Sequence, residues 1–140
     1  MMVDINYCPD RGDIVWLDFD PQSGHEQKGR RPAIVISPKD YNAKVGLALC
    51  CPITNKVKGY PFEVLLPPDI TVKGVIISDQ IKSLDWKIRN VEFITKADNK
   101  TLKETINKFS TLIKILKNYF LKCHPFQRET IISSEGKNFF

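Results

Sequence analysis

Between residues 26 and 31 a short polar stretch carries one carboxylate and three cations: Glu26, Lys28, Arg30 and Arg31. Glycines at 24 and 29 punctuate it, and His25 adds a group that ordinarily titrates near neutral pH and could act as a general base. Such a cluster suits a ligand that bears phosphate, and an arginine fork matches phosphate oxygens in a way a lysine point charge does not. A second cationic pair, Lys56 and Lys58, lies on another polar connector. Each of these side chains also has an ordinary role. A loop arginine is commonly solvated or paired with a surface carboxylate, and a loop histidine is commonly solvated. Residue types alone leave both readings open.

The cluster must be held by something rigid, since functional loops work from a fixed scaffold. On its N-terminal side, Asp13–Phe19 alternates: Ile14, Trp16 and Asp18 fall on one face, and Val15, Leu17 and Phe19 on the other. On its C-terminal side, Ala33–Ile36 is a continuous apolar run. Further strand patterns follow at 45–53, 62–66, 75–77 and near 88–95, with the segment SPKDYNAK reading as a turn. Many short strands at this spacing predict a small curled antiparallel sheet or barrel. The period then changes. Leu102, Ile106, Phe109, Ile113, Leu116 and Phe120 recur at steps of four and three, which predicts a C-terminal helix from about 99 to 122. Asp98 is placed to cap it and Pro125 to stop it. Its stripe can pack on the sheet, or its second half can meet another subunit. The expected organisation is one domain over 1–122 with 123–140 as a tail.

A chain of 140 residues with 42% hydrophobic and 26% charged content is ordinary for a globular domain. No apolar run approaches the ~18 residues of a membrane helix, and the opening MMVDINYCPD lacks a signal-peptide pattern. The expectation is a cytoplasmic protein. The net charge of +5 is mostly a property of the C-terminal part: residues 98–140 hold eight Lys or Arg against four Asp or Glu. Cysteines at 8, 50, 51 and 123 form no C-x-x-C, and neither histidine, 25 or 124, stands at ligand spacing to a cysteine pair. This predicts reduced thiols, no metal site and no cofactor. Cys50 and Cys51 are adjacent in a strand pattern, so one should face the core and the other not.

Six collinear blocks carry a resemblance: GDIVWLDFDP at 12–21, EQKGRRPAIVISP at 26–38, YN at 41–42, CPIT at 51–54, KGYPFEV at 58–64 and DQIKSLDW at 79–86. Over residues 9–113 the chain resembles the MazF/PemK family of toxin endoribonucleases. The resemblance implies a mainly β fold with a C-terminal α-helix, a small SH3-like barrel of the PemK/CcdB type, assembled as a homodimer. It implies a sequence-specific endoribonuclease that cleaves single-stranded RNA, chiefly mRNA, without a metal, and a cognate antitoxin whose acidic tail covers the RNA groove.

Metal-free cleavage can use the RNA's own 2′-hydroxyl as nucleophile, leaving a 2′,3′-cyclic phosphate and a 5′-hydroxyl; DNA lacks that group. The enzyme must take one proton, give another and stabilise charge on the phosphoryl oxygens. The resemblance assigns this work to Arg31 and Thr54, with Glu26 as base or as the group orienting Arg31. A guanidinium is a poor proton shuttle near neutral pH, so Arg31 is expected to act electrostatically. Lys28, Arg30, Lys56, Lys58 and His25 are candidates to hold RNA, with Trp16 to stack a base. Phe19, Tyr60 and Trp86 are further aromatics that either stack or fill the core. His25 stands where a small or polar residue is expected, and Asn55 where some members carry a second threonine. Two other readings remain at this stage. One is a non-enzymatic toxin of the same fold that poisons a DNA topoisomerase (gyrase) through its C-terminal helix; the other is a binding barrel without activity.

Overall fold

The computed structural model describes residues 6–19 and 29–113. Strand β1, Asp13–Phe19, forms where the alternation predicts it. Strand β2 is Gly29–Val35, beginning four residues before the apolar run. Its extra length comes from the backbone: Arg31 pairs with Leu17, Arg30 with Asp18 and Gly29 with Phe19. A ladder is made by main-chain groups and does not require apolar side chains. Arg30 and Arg31 therefore stand on a strand, not on the connector.

The segment expected as a turn is instead a seven-residue helix, α1, Lys39–Val45. It has no apolar stripe to reveal it. It buries Asn42, whose amide donates to the carbonyls of Pro9 (2.8 Å) and Ser37 (3.0 Å). Gly46 ends it at φ 79°, the left-handed conformation that glycine adopts without strain. Strand β3, Leu47–Thr54, follows, then β4 (Glu63–Leu65), β5 (Val75–Ile77), β6 (Lys82–Asp85), β7 (Glu92–Lys96) and α2 (Asn99–Ser110).

All pairings are antiparallel, and the strand order is β4-β5-β3-β2-β1-β7, with β6 paired to β3. The sheet is open, with β4 and β7 as its ends. Strand β3 is the hub. It pairs with β6 through 47–50, with β2 through 50–52 and with β5 through 53–54. The β2–β3 ladder stops at Ala33↔Pro52. Pro32 lacks the N–H that the next rung of this ladder needs, and the pairing ends there.

Both faces of the curled sheet are buried. One core holds Val15, Leu17, Phe19, Ala33, Val35, Cys50 and Trp86. The other holds Ile14, Ile34, Cys51, Ile53, Val64 and Ile76. Cys50 and Cys51 do point to opposite faces, but both are buried, because each face carries a core. Trp86 and Phe19 are core residues; the Trp86 indole N–H donates to the Asn42 carbonyl at 3.1 Å.

Asp98 caps α2, accepting from the Thr101 N–H at 3.3 Å. The helix buries Thr101 and Thr105, while Leu102, Ile106 and Phe109 are half-buried. Leu102 packs on the second core, whereas Leu112 and Ile113 are exposed. The stripe is thus only partly used within one chain. Residues 114–122 of the expected helix, and the tail, lie outside the described residues. No helix among the described residues is long and apolar enough to cross a membrane.

Candidate active site

Strand alternation sorts the two adjacent arginines. Arg31 shares its parity with Ala33 and Val35, which face the first core; Thr54 shares its parity with Pro52 and Cys50, and Cys50 faces the same core. Arg31 and Thr54 each lie two residues beyond the last β2–β3 pair, Ala33↔Pro52. Strand parity therefore puts both on one face, at the strand ends that part beyond that pair. Arg30 alternates to the other face. Its guanidinium there is engaged by Asp18 at 2.9 Å and Glu92 at 3.1 Å. Asp18 also accepts from the Asn90 amide at 2.7 Å, and this bond, with the Arg30 pair, holds its carboxyl below the ordinary range.

Thr54 is 7% exposed and opens onto a cleft of about 530 Å³ with Lys56, Lys58, Tyr60, Glu63 and Asp79. Its Oγ1 accepts from the Lys56 N–H at 3.2 Å, which leaves the hydroxyl proton to be donated outward. The backbone here is fixed by close approach. Gly74 has φ +118°, and a Cβ on it would stand 2.1 Å from the Thr54 carbonyl oxygen. Only glycine lets β5 lie this close to the end of β3.

Two carboxylates border the cleft, and neither was anticipated from the sequence. Glu63 is committed: it accepts from the N–H groups of Lys58, Gly59 and Tyr60. Asp79 is not. Its Oδ1 is buried with no hydrogen-bond partner among the described residues.

A second hollow, about 860 Å³, is lined by Trp16, Arg30, Arg31, Pro32, Lys73 and Phe93, so Arg31 lines this hollow while Thr54 lines the other. Trp16 is 37% and Phe93 47% exposed, which is unusual for aromatics on a well-packed sheet. Tyr60, 51% exposed, offers a further ring at the Thr54 cleft. Lys56 and Lys58 stand on the 55–62 loop, on the same cleft. Glu26, Lys28 and His25 lie outside the described residues. Thiol chemistry is disfavoured: burial pushes Cys50 up to about 12, with Cys51 adding to it, and burial followed by the Asp79 charge pushes Cys51 up to about 12.

Residues 10–113 match the family described as PemK-like, MazF-like toxin of type II toxin-antitoxin system. The chain belongs to this family. Among its relatives, the endoribonuclease toxin MazF of Escherichia coli K12 is 53% identical over 83 residues, covering 59% of this chain and 74% of the relative. The endoribonuclease toxin ChpB of the same organism is 34% identical over 110 residues, covering 75% and 94%. The crystal structure of MazF from Deinococcus radiodurans superposes with a TM-score of 0.74 at 49% identity, covering 77% of this chain and 98% of that one. A MazE–MazF complex from that organism superposes at 0.69 with 44% identity, covering 77% and 97%. The open sheet with its C-terminal helix is therefore the MazF fold.

Proposed function

We propose that this MazF-family toxin is a sequence-specific endoribonuclease that cleaves single-stranded RNA, mRNA included, without a metal. The 2′-hydroxyl attacks the adjacent phosphorus, the 5′-oxygen of the next nucleotide leaves, and the products carry a 2′,3′-cyclic phosphate and a 5′-hydroxyl. The protein acts in the cytoplasm as a homodimer, with residues 1–122 as its toxin domain, and a cognate antitoxin inhibits it.

The observation that carries this reading is the strand parity of Arg31 and Thr54, one face at two parted strand ends. A guanidinium and an outward hydroxyl proton then meet the same phosphodiester. Both supply donors where negative charge develops. Asp79, which borders the Thr54 cleft, or Glu26 takes the nucleophile's proton; Glu26 otherwise orients Arg31. Lys56, Lys58 and Lys28 hold flanking phosphates, and Trp16 and Tyr60 stack bases. His25 is a further RNA-binding residue. Arg30 adds to the field of the groove without gripping RNA directly, because its fork is spent on Asp18 and Glu92.

The test is incubation with a long single-stranded RNA in excess chelator, followed by mapping of fragment ends. Discrete cuts at a short motif, with 5′-hydroxyl ends, are expected, and Arg31→Ala abolishes them in a folded protein. Intact RNA beside folded protein overturns the reading. Topoisomerase inhibition that survives Arg31→Ala would put a gyrase poison in its place.

A further inference from the structure

The 55–62 loop carries Lys56, Lys58 and Tyr60 to the Thr54 cleft, yet it has no regular secondary structure. Its shape is set from outside. The Glu63 carboxylate accepts from three successive backbone donors: Lys58 at 3.1 and 3.3 Å, Gly59 at 3.0 Å and Tyr60 at 3.3 Å. Gly59 at φ +75° lets those N–H groups converge on one anion, the geometry of a backbone nest. From the other side, the Lys108 ammonium of α2 donates to the carbonyls of Pro61 and Glu63, each at 2.8 Å. Ser78 ties Phe62 down through both its N–H (3.0 Å) and its hydroxyl (2.6 Å), one residue before Asp79. The loop is thus pinned at 58–60, 61–63 and 62, and its cationic and aromatic side chains are left to face the cleft.

We propose that Glu63, with Lys108 from α2 behind it, is a positioning residue for RNA recognition: it holds the loop so that Lys58 and Tyr60 meet the nucleotide flanking the scissile phosphate. This rests on the ribonuclease reading above. Glu63 borders the cleft, but its oxygens are spent on the loop. Its loss acts on binding and motif choice and spares the chemistry done by Arg31 and Thr54. Charge-assisted bonds to backbone N–H groups are among the stronger ones, so releasing three of them is felt.

Cleavage is measured on an RNA carrying one preferred motif among near-matches. For Glu63→Ala the expected KM rises about tenfold or more while kcat stays within about threefold, and near-match sites are cut. Glu63→Gln, which keeps one acceptor oxygen, recovers part of the discrimination, and Lys108→Met moves KM in the same direction by less. Amide hydrogen exchange at Lys58, Gly59 and Tyr60 reads the clamp without any catalysis: these sites are protected in the wild type and exchange rapidly in Glu63→Ala. If Glu63→Ala keeps KM and the cleavage pattern while folded, or loses kcat alone, the positioning role is overturned. Wild-type protein that fails to cut RNA yet shows the three protected amides overturns the ribonuclease reading and leaves the clamp standing.

Discussion

Replacing Thr54 by valine separates catalysis from stability. The exchange keeps the branched shape that suits a strand and removes only the hydroxyl. In the folded protein that hydroxyl accepts one bond, from the Lys56 N–H at 3.2 Å, the long end of the range. Losing it costs about 0.5–1 kcal/mol, and burying a methyl at a site only 7% exposed offsets part of that. Catalysis is hit harder. A donor aimed at charge that develops only in the transition state is worth about 3–4 kcal/mol, or a rate factor of about 10²–10³. Thr54→Ser is the mirror test. It keeps the donor and deletes a buried methyl, so it loses about 1 kcal/mol of stability and cuts near the wild-type rate. Single-turnover cleavage in excess chelator gives the rates, and urea unfolding gives the stabilities. Thr54→Val cutting at more than about a tenth of the wild-type rate, or Thr54→Ser failing as badly as valine, refutes the hydroxyl as donor.

Gly74→Ala should reduce both activity and stability: its Cβ would meet the Thr54 carbonyl at 2.1 Å and its φ is +118°, so a loss of about 1–3 kcal/mol is expected in urea unfolding. Asp79→Asn should lower the cleavage rate about 10²-fold, which single-turnover cleavage at the wild-type rate would contradict. Stability should fall as pH rises above about 9. Burial holds the Cys50 and Cys51 thiols up to about 12, so the folded state retains protons that the unfolded chain releases from its ordinary 9.0 upward. The loss runs at about 1.4 kcal/mol per pH unit for each thiol, is absent below that window, and is halved in Cys51→Val, as urea titrations at about pH 8 and about pH 10.5 will show.

Side-chain period made some elements readable from residue types. The alternation of β1, the run at Val75–Ile77 and the Asp98 cap followed from pattern and capping chemistry alone. Elements made by backbone were invisible to that pattern. The start of β2 bears Arg30 and Arg31, and β6 has Leu84 as its only aliphatic side chain. Helix α1 buries an asparagine where a pattern search looks for leucine. At the candidate site, Arg31 and Thr54 came from the resemblance, but their common face was already implicit in the parity of Arg31 with Ala33 and Val35. Arg30's partner Glu92 lies 62 residues away, so its engagement could not be read locally. Asp79 and Glu63 sit inside two of the collinear blocks, yet what they do depends on approaches between distant strands, the loop and α2.

The proline at 32 has a consequence for how a ligand enters. Where a ladder stops for want of a hydrogen to share, the seam between two strands stays unzipped whatever the temperature or the solvent. The gap between the two strand ends is built in before any nucleotide arrives, and no free energy goes into prying backbone apart. An alanine in place of Pro32 would offer the strands a way to close over it.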